Sequence, residues 1–174
     1  MPRFFVAAAL AVACAACQAA PAQQNSAPPA AAVEPEAEAE TATHPVSGLE
    51  LAPLEIRSGS KVHRFTVEIA RTEREQAYGL MNRTKLGPNE GMLFPFPSPR
   101  PASFWMKNTL IPLDMIFVRA DGSIARIAAR TVPHSLEGVA VGEPVAAVLE
   151  IAGGRAAELG IDETARVSWP GGPR

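Results

Sequence analysis

From Leu51 onward the chain alternates apolar and polar positions in short runs. Leu54 and Ile56, with charged neighbours, predict a first strand over Leu51 to Arg57. Ser58-Gly59-Ser60 reads as a turn. Lys61 to Ala70 alternates without a break, His63, Phe65, Val67 and Ile69 on one side and Val62, Arg64, Thr66 and Glu68 on the other. A period of two over that length predicts a half-buried strand. At Thr72 the period lengthens. Thr72 with Glu75 three residues on forms a capping box, and Ala77, Leu80 and Met81 share one helical face. This predicts a helix reaching Asn82-Arg83, with Gly79 inside it.

The rest of the chain returns to short strands. Leu86 to Gly91 is turn chemistry, and Met92 to Phe96 an apolar strand that Pro95 confines to an edge or bulge. Pro97, Pro99 and Pro101 stiffen the connection to a strand over Ser103 to Asn108. A break at Ile111-Pro112 separates it from a strand over Asp114 to Val118. Ala120-Asp121-Gly122-Ser123 is a hairpin turn leading to Ile124 to Thr131. A loop over Val132 to Pro144 precedes a buried strand, Val145 to Ile151. A short helix over Arg155 to Leu159 stops at Gly160, and Thr164 to Trp169 is the last strand. The expected architecture is mainly β with two short helices, an antiparallel sheet curled into a barrel- or sandwich-like single domain. It should span residues 49–170, with residues 171–174 as a frayed tail.

Upstream the pattern is of another kind. Met1-Pro2-Arg3 followed by the charge-free run Phe4 to Ala13 has the form of an export signal over residues 1–22, too short to span a bilayer. Both cysteines, Cys14 and Cys17, follow directly, each preceded by Ala. Lipidation at Cys17 or Cys14 is the expectation, with cleavage after Ala20-Pro21-Ala22 as the other reading. Residues 23–48 are rich in Ala, Pro and Glu, a composition that buries too little apolar surface to fold and suits a tether. The protein is therefore expected in the bacterial envelope, periplasmic or anchored to a membrane by lipid alone. Beyond Cys17 no cysteine remains for a disulfide or a thiol nucleophile.

Charge narrows the partners. Four of the 18 acidic residues and one of the 16 basic ones precede Leu49, which leaves 14 and 15 for the domain. Near neutrality without a basic run argues against nucleic acid. A monomer and no cofactor are expected.

One stretch concentrates chemistry. Phe104-Trp105-Met106-Lys107-Asn108-Thr109-Leu110-Ile111-Pro112-Leu113-Asp114 sets a Trp, a Lys, an Asn, a Thr and an Asp on an apolar background. Buried polar groups need partners, since an unpaired one costs about 1–3 kcal/mol. The stretch is thus a hydrogen-bonded knot or a site. Together with Gly79-Leu80-Met81-x-Arg83, Gly91-Met92-Leu93-Phe94-x-Phe96 and Val148-Leu149-Glu150, it resembles the ordered signature blocks of the domain-of-unknown-function 192 family. The resemblance covers about Leu54 to Val167 and implies a compact, mainly-β, barrel-like fold, without implying an activity. The chain departs from the pattern at Ile161-Asp162-Glu163, where a Gly-Asp turn is expected.

Three kinds of function compete. A binding module would use Trp105, with Phe104 and Tyr78, as an apolar platform, and Lys107, Arg83, Asn108 and Asp114 as polar contacts for a small ligand, a glycan or an envelope protein. A hydrolase-like enzyme would use Asp114 and Lys107 as acid and base. Neither H-E-x-x-H nor G-x-S-x-G occurs, and no His/Cys/Asp cluster. A copper(I) site would draw on the thioethers of Met81, Met92 and Met106. Met is more often a core filler, and Asp114 is more often a cap where Pro112 interrupts a ladder. The binding module is the reading favoured here, with Asn108, Thr109 and Asp114 mainly architectural.

Overall fold

The computed structural model describes residues 42–173. The expected export signal, Cys14 and Cys17, and most of the spacer lie outside the described residues. The strands are β1 (Leu51–Ser58), β2 (Lys61–Ile69), β3 (Glu90–Arg100), β4 (Ser103–Phe104), β5 (Leu113–Val118), β6 (Ile124–Thr131), β7 (Val139–Ala140), β8 (Val145–Ala152) and β9 (Arg166–Ser168). The helices are α1 (Glu73–Tyr78) and α2 (Arg155–Leu159). Seven strands form one sheet in the order β6-β5-β8-β3-β2-β1-β9, and β4 pairs with β7 beside it.

The sheet is mixed, not wholly antiparallel: β2 runs parallel to β3. Helix α1 makes this possible, because it carries the chain across so that β3 starts at the same end as β2. The curl is strong but the sheet does not close. Its two edges meet at a single bridge, Ser123 with Arg166, where the Val167 N–H also donates to the Gly122 carbonyl at 2.8 Å.

Both faces of the sheet are covered. Inside the curl, Ile56, Phe65, Val67, Leu93, Ile116, Val118, Leu149 and Ile151 form one core, capped by Ala156 of α2. On the outer face Met92, Phe94, Met106, Leu113, Met115, Phe117 and Val148 form a second, under the β4–β7 pair. Strand β5 is buried along its whole length. That explains its unbroken apolar run, which is the pattern of a strand packed on both sides.

Local chemistry accounts for the boundaries. Thr72 and Glu75 make the expected capping box, but α1 ends at Gly79 instead of running through it. Gly79 has φ +50 with ψ −135, a conformation that L side chains rarely adopt, so glycine serves the stop; a Cβ there would meet the Phe94 ring only at ordinary contact distance, 3.4 Å. The strand expected over Ser103 to Asn108 stops at Phe104, because Asn108 adopts φ 53 and the chain turns. Pro95 stands beyond Leu93, where pairing with β2 ends, and the β3–β8 register shifts after it, which is the bulge expected for proline. In place of a Gly-Asp turn, Asp162 Oδ1 accepts from the Thr164 N–H at 2.9 Å and its hydroxyl at 2.6 Å. The described fold also includes residues before Leu49. Ala42 to Gly48, the end of the expected spacer, folds back through a Thr43–Glu50 bridge and a turn closed by Gly48 N–H on the His44 carbonyl.

Candidate functional site

Four side chains form a row across neighbouring strands on the outer face: Glu68 of β2, Met92 of β3, Glu150 of β8 and Met115 of β5. The two glutamates of this row are buried, and their surroundings decide what each can do.

Glu68 is spent. Both its oxygens accept from Arg83 Nη2, at 2.8 and 2.7 Å. The Ser47 hydroxyl donates to it and His44 Nδ1 lies 3.7 Å away. The early turn at residues 42–48 is what delivers His44 and Ser47. Arg83 is therefore held in an ion pair with only 13% of its side chain exposed.

Glu150 has no such company. It is 4% exposed, and among the described residues no hydrogen-bond donor reaches its carboxyl. Burial pushes its acid group up to about 8, so it carries its proton at neutral pH. Its carboxyl forms the floor of a cavity of about 290 Å³. Tyr78 to Met81 at the end of α1, Arg100 of β3, Phe104 of β4, Trp105, Lys107 and Thr109 build the walls and mouth. Phe104 stands edge-on between Phe94 and Phe117, with ring centroids 5.0 and 6.4 Å away, which locks the wall. Trp105 is 50% exposed and Tyr78 58%, both unusual for large aromatics. The Lys107 ammonium lies 5.2 Å from the Trp105 ring centroid, and the Arg100 guanidinium 4.0 Å from that of Phe96.

The rim is rigid because three loops are tied by their main chains. Asn82 donates to Asn108 at 2.9 Å, Met106 to Ser135 at 2.9 Å and His134 to Thr109 at 3.1 Å. Asn82, Asn108, Arg130 and His134 all hold positive φ. Left-handed backbone at non-glycine residues persists only where surrounding bonds enforce it, and it gathers at functional sites.

The sequence candidates thus divide. Trp105 and Lys107 border the cavity together. Asn108 serves as the left-handed turn residue, its amide 3.9 Å from the Met81 sulfur. Arg83 is committed to Glu68. Asp114 lies on the other side of the sheet, fully buried. Its Oδ1 accepts from the N–H of Arg130 (2.8 Å) and Gly154 (2.7 Å), and its Oδ2 from that of Ala156 (2.9 Å). Gly154 caps α2 and Ala156 lies in its first turn, so this carboxylate pins the helix over the inner core. An Asp occupied by three backbone donors cannot act as acid or base with Lys107, which borders a cavity on the opposite face. Of the thioethers, Met92 and Met106 are sealed in the outer core and Met81 lies on the cavity wall. The Thr131 hydroxyl, donating to the Leu113 carbonyl at 2.9 Å, stands 3.1 Å from the Met106 sulfur. Among the described residues no group of three or more His, Cys, Asp or Glu side chains is placed to hold a metal ion.

Glu150 and Arg100 are not among the sequence candidates. For Glu150 the signal in the sequence is a single acid in the otherwise apolar strand Val145–Ala152, inside the Val148-Leu149-Glu150 block. Arg100 gave none, being one charge in a proline-rich connection.

The profile of the family described as "Uncharacterized ACR", DUF192, matches residues 54–169. The chain belongs to the DUF192 family. Two solved structures resemble this DUF192 domain. A protein of unknown function from Novosphingobium aromaticivorans DSM 12444 is 50% identical with a TM-score of 0.72, over 74% of this chain and 91% of that one. A protein described as a candidate transcription regulator from Sinorhizobium meliloti 1021 is 39% identical with a TM-score of 0.69, over 71% of this chain and 96% of that one. The comparison with curated proteins finds no match.

Proposed function

We propose that this DUF192 domain is a binding module that receives a small molecule in the cavity between Tyr78, Trp105 and Glu150. One observation carries this reading. Glu150 is a buried acid on an apolar strand, left without a partner among the described residues and lining an accessible cavity. A carboxyl buried for architecture is paired, as Glu68 and Asp114 are, because an unpaired one costs free energy. A single acid at the floor of an aromatic-walled cavity fits the usual make-up of a ligand site, a mostly apolar lining with few placed polar groups.

The form of Met1 to Ala22 supports export, with Cys17 or Cys14 as lipid attachment point and the Ala/Pro/Glu stretch as tether. The module would then meet its ligand in the envelope. A role on DNA, which the Sinorhizobium relative's description would suggest, draws no support from a domain with 14 acidic and 15 basic side chains.

Amide chemical-shift mapping with a panel of charged and neutral single-ring compounds tests the proposal. Shifts should gather at Tyr78 to Met81, at Trp105 including its indole N–H, and at Glu150. Shifts elsewhere on the domain, or none at millimolar ligand, overturn it.

A further inference from the structure

We infer that the cavity selects a small organic anion: one apolar ring carrying a single carboxylate or phosphate, the ring against the aromatic wall and the anion at the mouth. This rests on reading the cavity as a ligand site and adds the chemical class.

Charge at the cavity supports it first. Most arginines of the described domain are ion-paired, for example Arg64 with Glu55 and Arg119 with Glu143. Arg100 and Lys107 are both exposed at the cavity, and among the described residues neither has a carboxylate partner. Each instead lies over an aromatic ring, with its charge left available to solvent. The cavity's one acid, Glu150, lies at the floor and is protonated at neutral pH. The site therefore holds two cations and no anion of its own.

Polar capacity supplies the second support. The Gln76 side-chain nitrogen already donates to the Ala70 and Pro95 carbonyls, both at 3.1 Å. The Thr109 hydroxyl donates to the Lys107 carbonyl at 3.3 Å. Besides the two cations, Glu150, the Ser103 hydroxyl and the Tyr78 hydroxyl remain, the last accepting from the Asn82 amide at 3.4 Å. With the cations engaged by the anion, these few groups cannot serve the hydroxyls around a sugar ring, whereas an aromatic or alicyclic ring needs none of them. Size agrees, since about 290 Å³ lies at the small end of ligand sites.

Glu150 gives the selection a proton dependence. The charged or titratable side chains sharing its cavity are Lys107, Arg100 and Tyr78, and its strand neighbours Met92 and Met115 carry none. Once ionised, its carboxylate opposes a bound anion.

The probes are 3-phenylpropanoate, phenyl phosphate and neutral 3-phenylpropan-1-ol, titrated into the folded domain by calorimetry and by shift mapping. At pH 6.5 at least one anion should bind about tenfold or more tightly than the alcohol, as expected for a charge-assisted contact. The Arg100→Met, Lys107→Met double variant, changed only at exposed positions, should lose that advantage and bind anion and alcohol alike. Raising the pH to 9 should weaken the anion severalfold in the wild-type protein and leave Glu150→Gln unaffected. Which anion binds distinguishes a carboxylate source from a phosphate source. Equal binding of alcohol and anions, or a double variant that retains the preference, overturns the anion class while the ligand site stands. Failure of all three probes to shift cavity residues overturns both.

Discussion

Glu68 and Glu150 stand on one face of the sheet with Met92 between them, yet the fold treats them in opposite ways. Around Glu68 it assembles Arg83, Ser47 and His44 from two separate loops. Around Glu150 it assembles aromatic rings and a cavity, with no donor within reach among the described residues. Both acids interrupt apolar surroundings, and burial is equally complete. What differs is whether a neighbouring loop supplies compensation. Compensation holds a buried acid in the architecture. Its omission at an open cavity is the observation on which the proposed ligand site rests.

Four substitutions test that contrast. The largest effect belongs to Asp114, a further compensated acid on the inner side. Asp114→Ala strands three backbone donors, at about 1–3 kcal/mol each where burial is complete. Urea unfolding should show a loss on the order of 5 kcal/mol, and a loss below about 1 kcal/mol would mean that α2 is held otherwise.

Glu68→Ala comes next. It leaves the largely buried Arg83 without its counter-charge, so about 3 kcal/mol should be lost by the same measurement. An unchanged midpoint would show that solvent takes over Arg83, and the contrast with Glu150 would shrink.

Glu150→Gln should behave in the opposite sense and only with pH. The wild-type acid is raised from 4.5 to about 8 in the folded state. Below pH 4.5 both folded and unfolded chains hold the proton. Between 4.5 and 8 the unfolded chain releases it while the folded chain retains it, so stability falls as pH rises, by up to about 1.4 kcal/mol per unit. Above about 8 that slope ends. Replacement by Gln should flatten the profile in this window and make the variant the more stable protein at pH 8. A profile that keeps its slope in the variant would show that Glu150 is already ionised at neutral pH.

The smallest structural effect is expected for Trp105→Ala. Half of this side chain faces solvent, so the unfolding midpoint should shift by less than about 1 kcal/mol. Ligand-induced shifts at Tyr78 and Gly79 should nevertheless disappear. A large stability loss with shifts retained would recast Trp105 as core.

Periodicity and turn chemistry by themselves determined most of the elements. The strand Ile124–Thr131, the helix Arg155–Leu159 and the Thr72–Glu75 cap emerge where short-range rules place them, because each depends on residues a few positions apart. The segment from Phe104 to Asp114 was recognisable as the focal point, and its aromatic and cationic members do meet at one cavity. Tertiary structure alone decided the parallel β2–β3 pair, the early turn that recruits His44 and Ser47, and the separation of Asp114 from Lys107 by the thickness of the sheet. A period of two separates the faces of a strand but does not say what covers each face. Whether a buried carboxyl finds a donor depends on loops distant in sequence, and those loops made Glu68 a strut and left Glu150 open at the floor of the cavity.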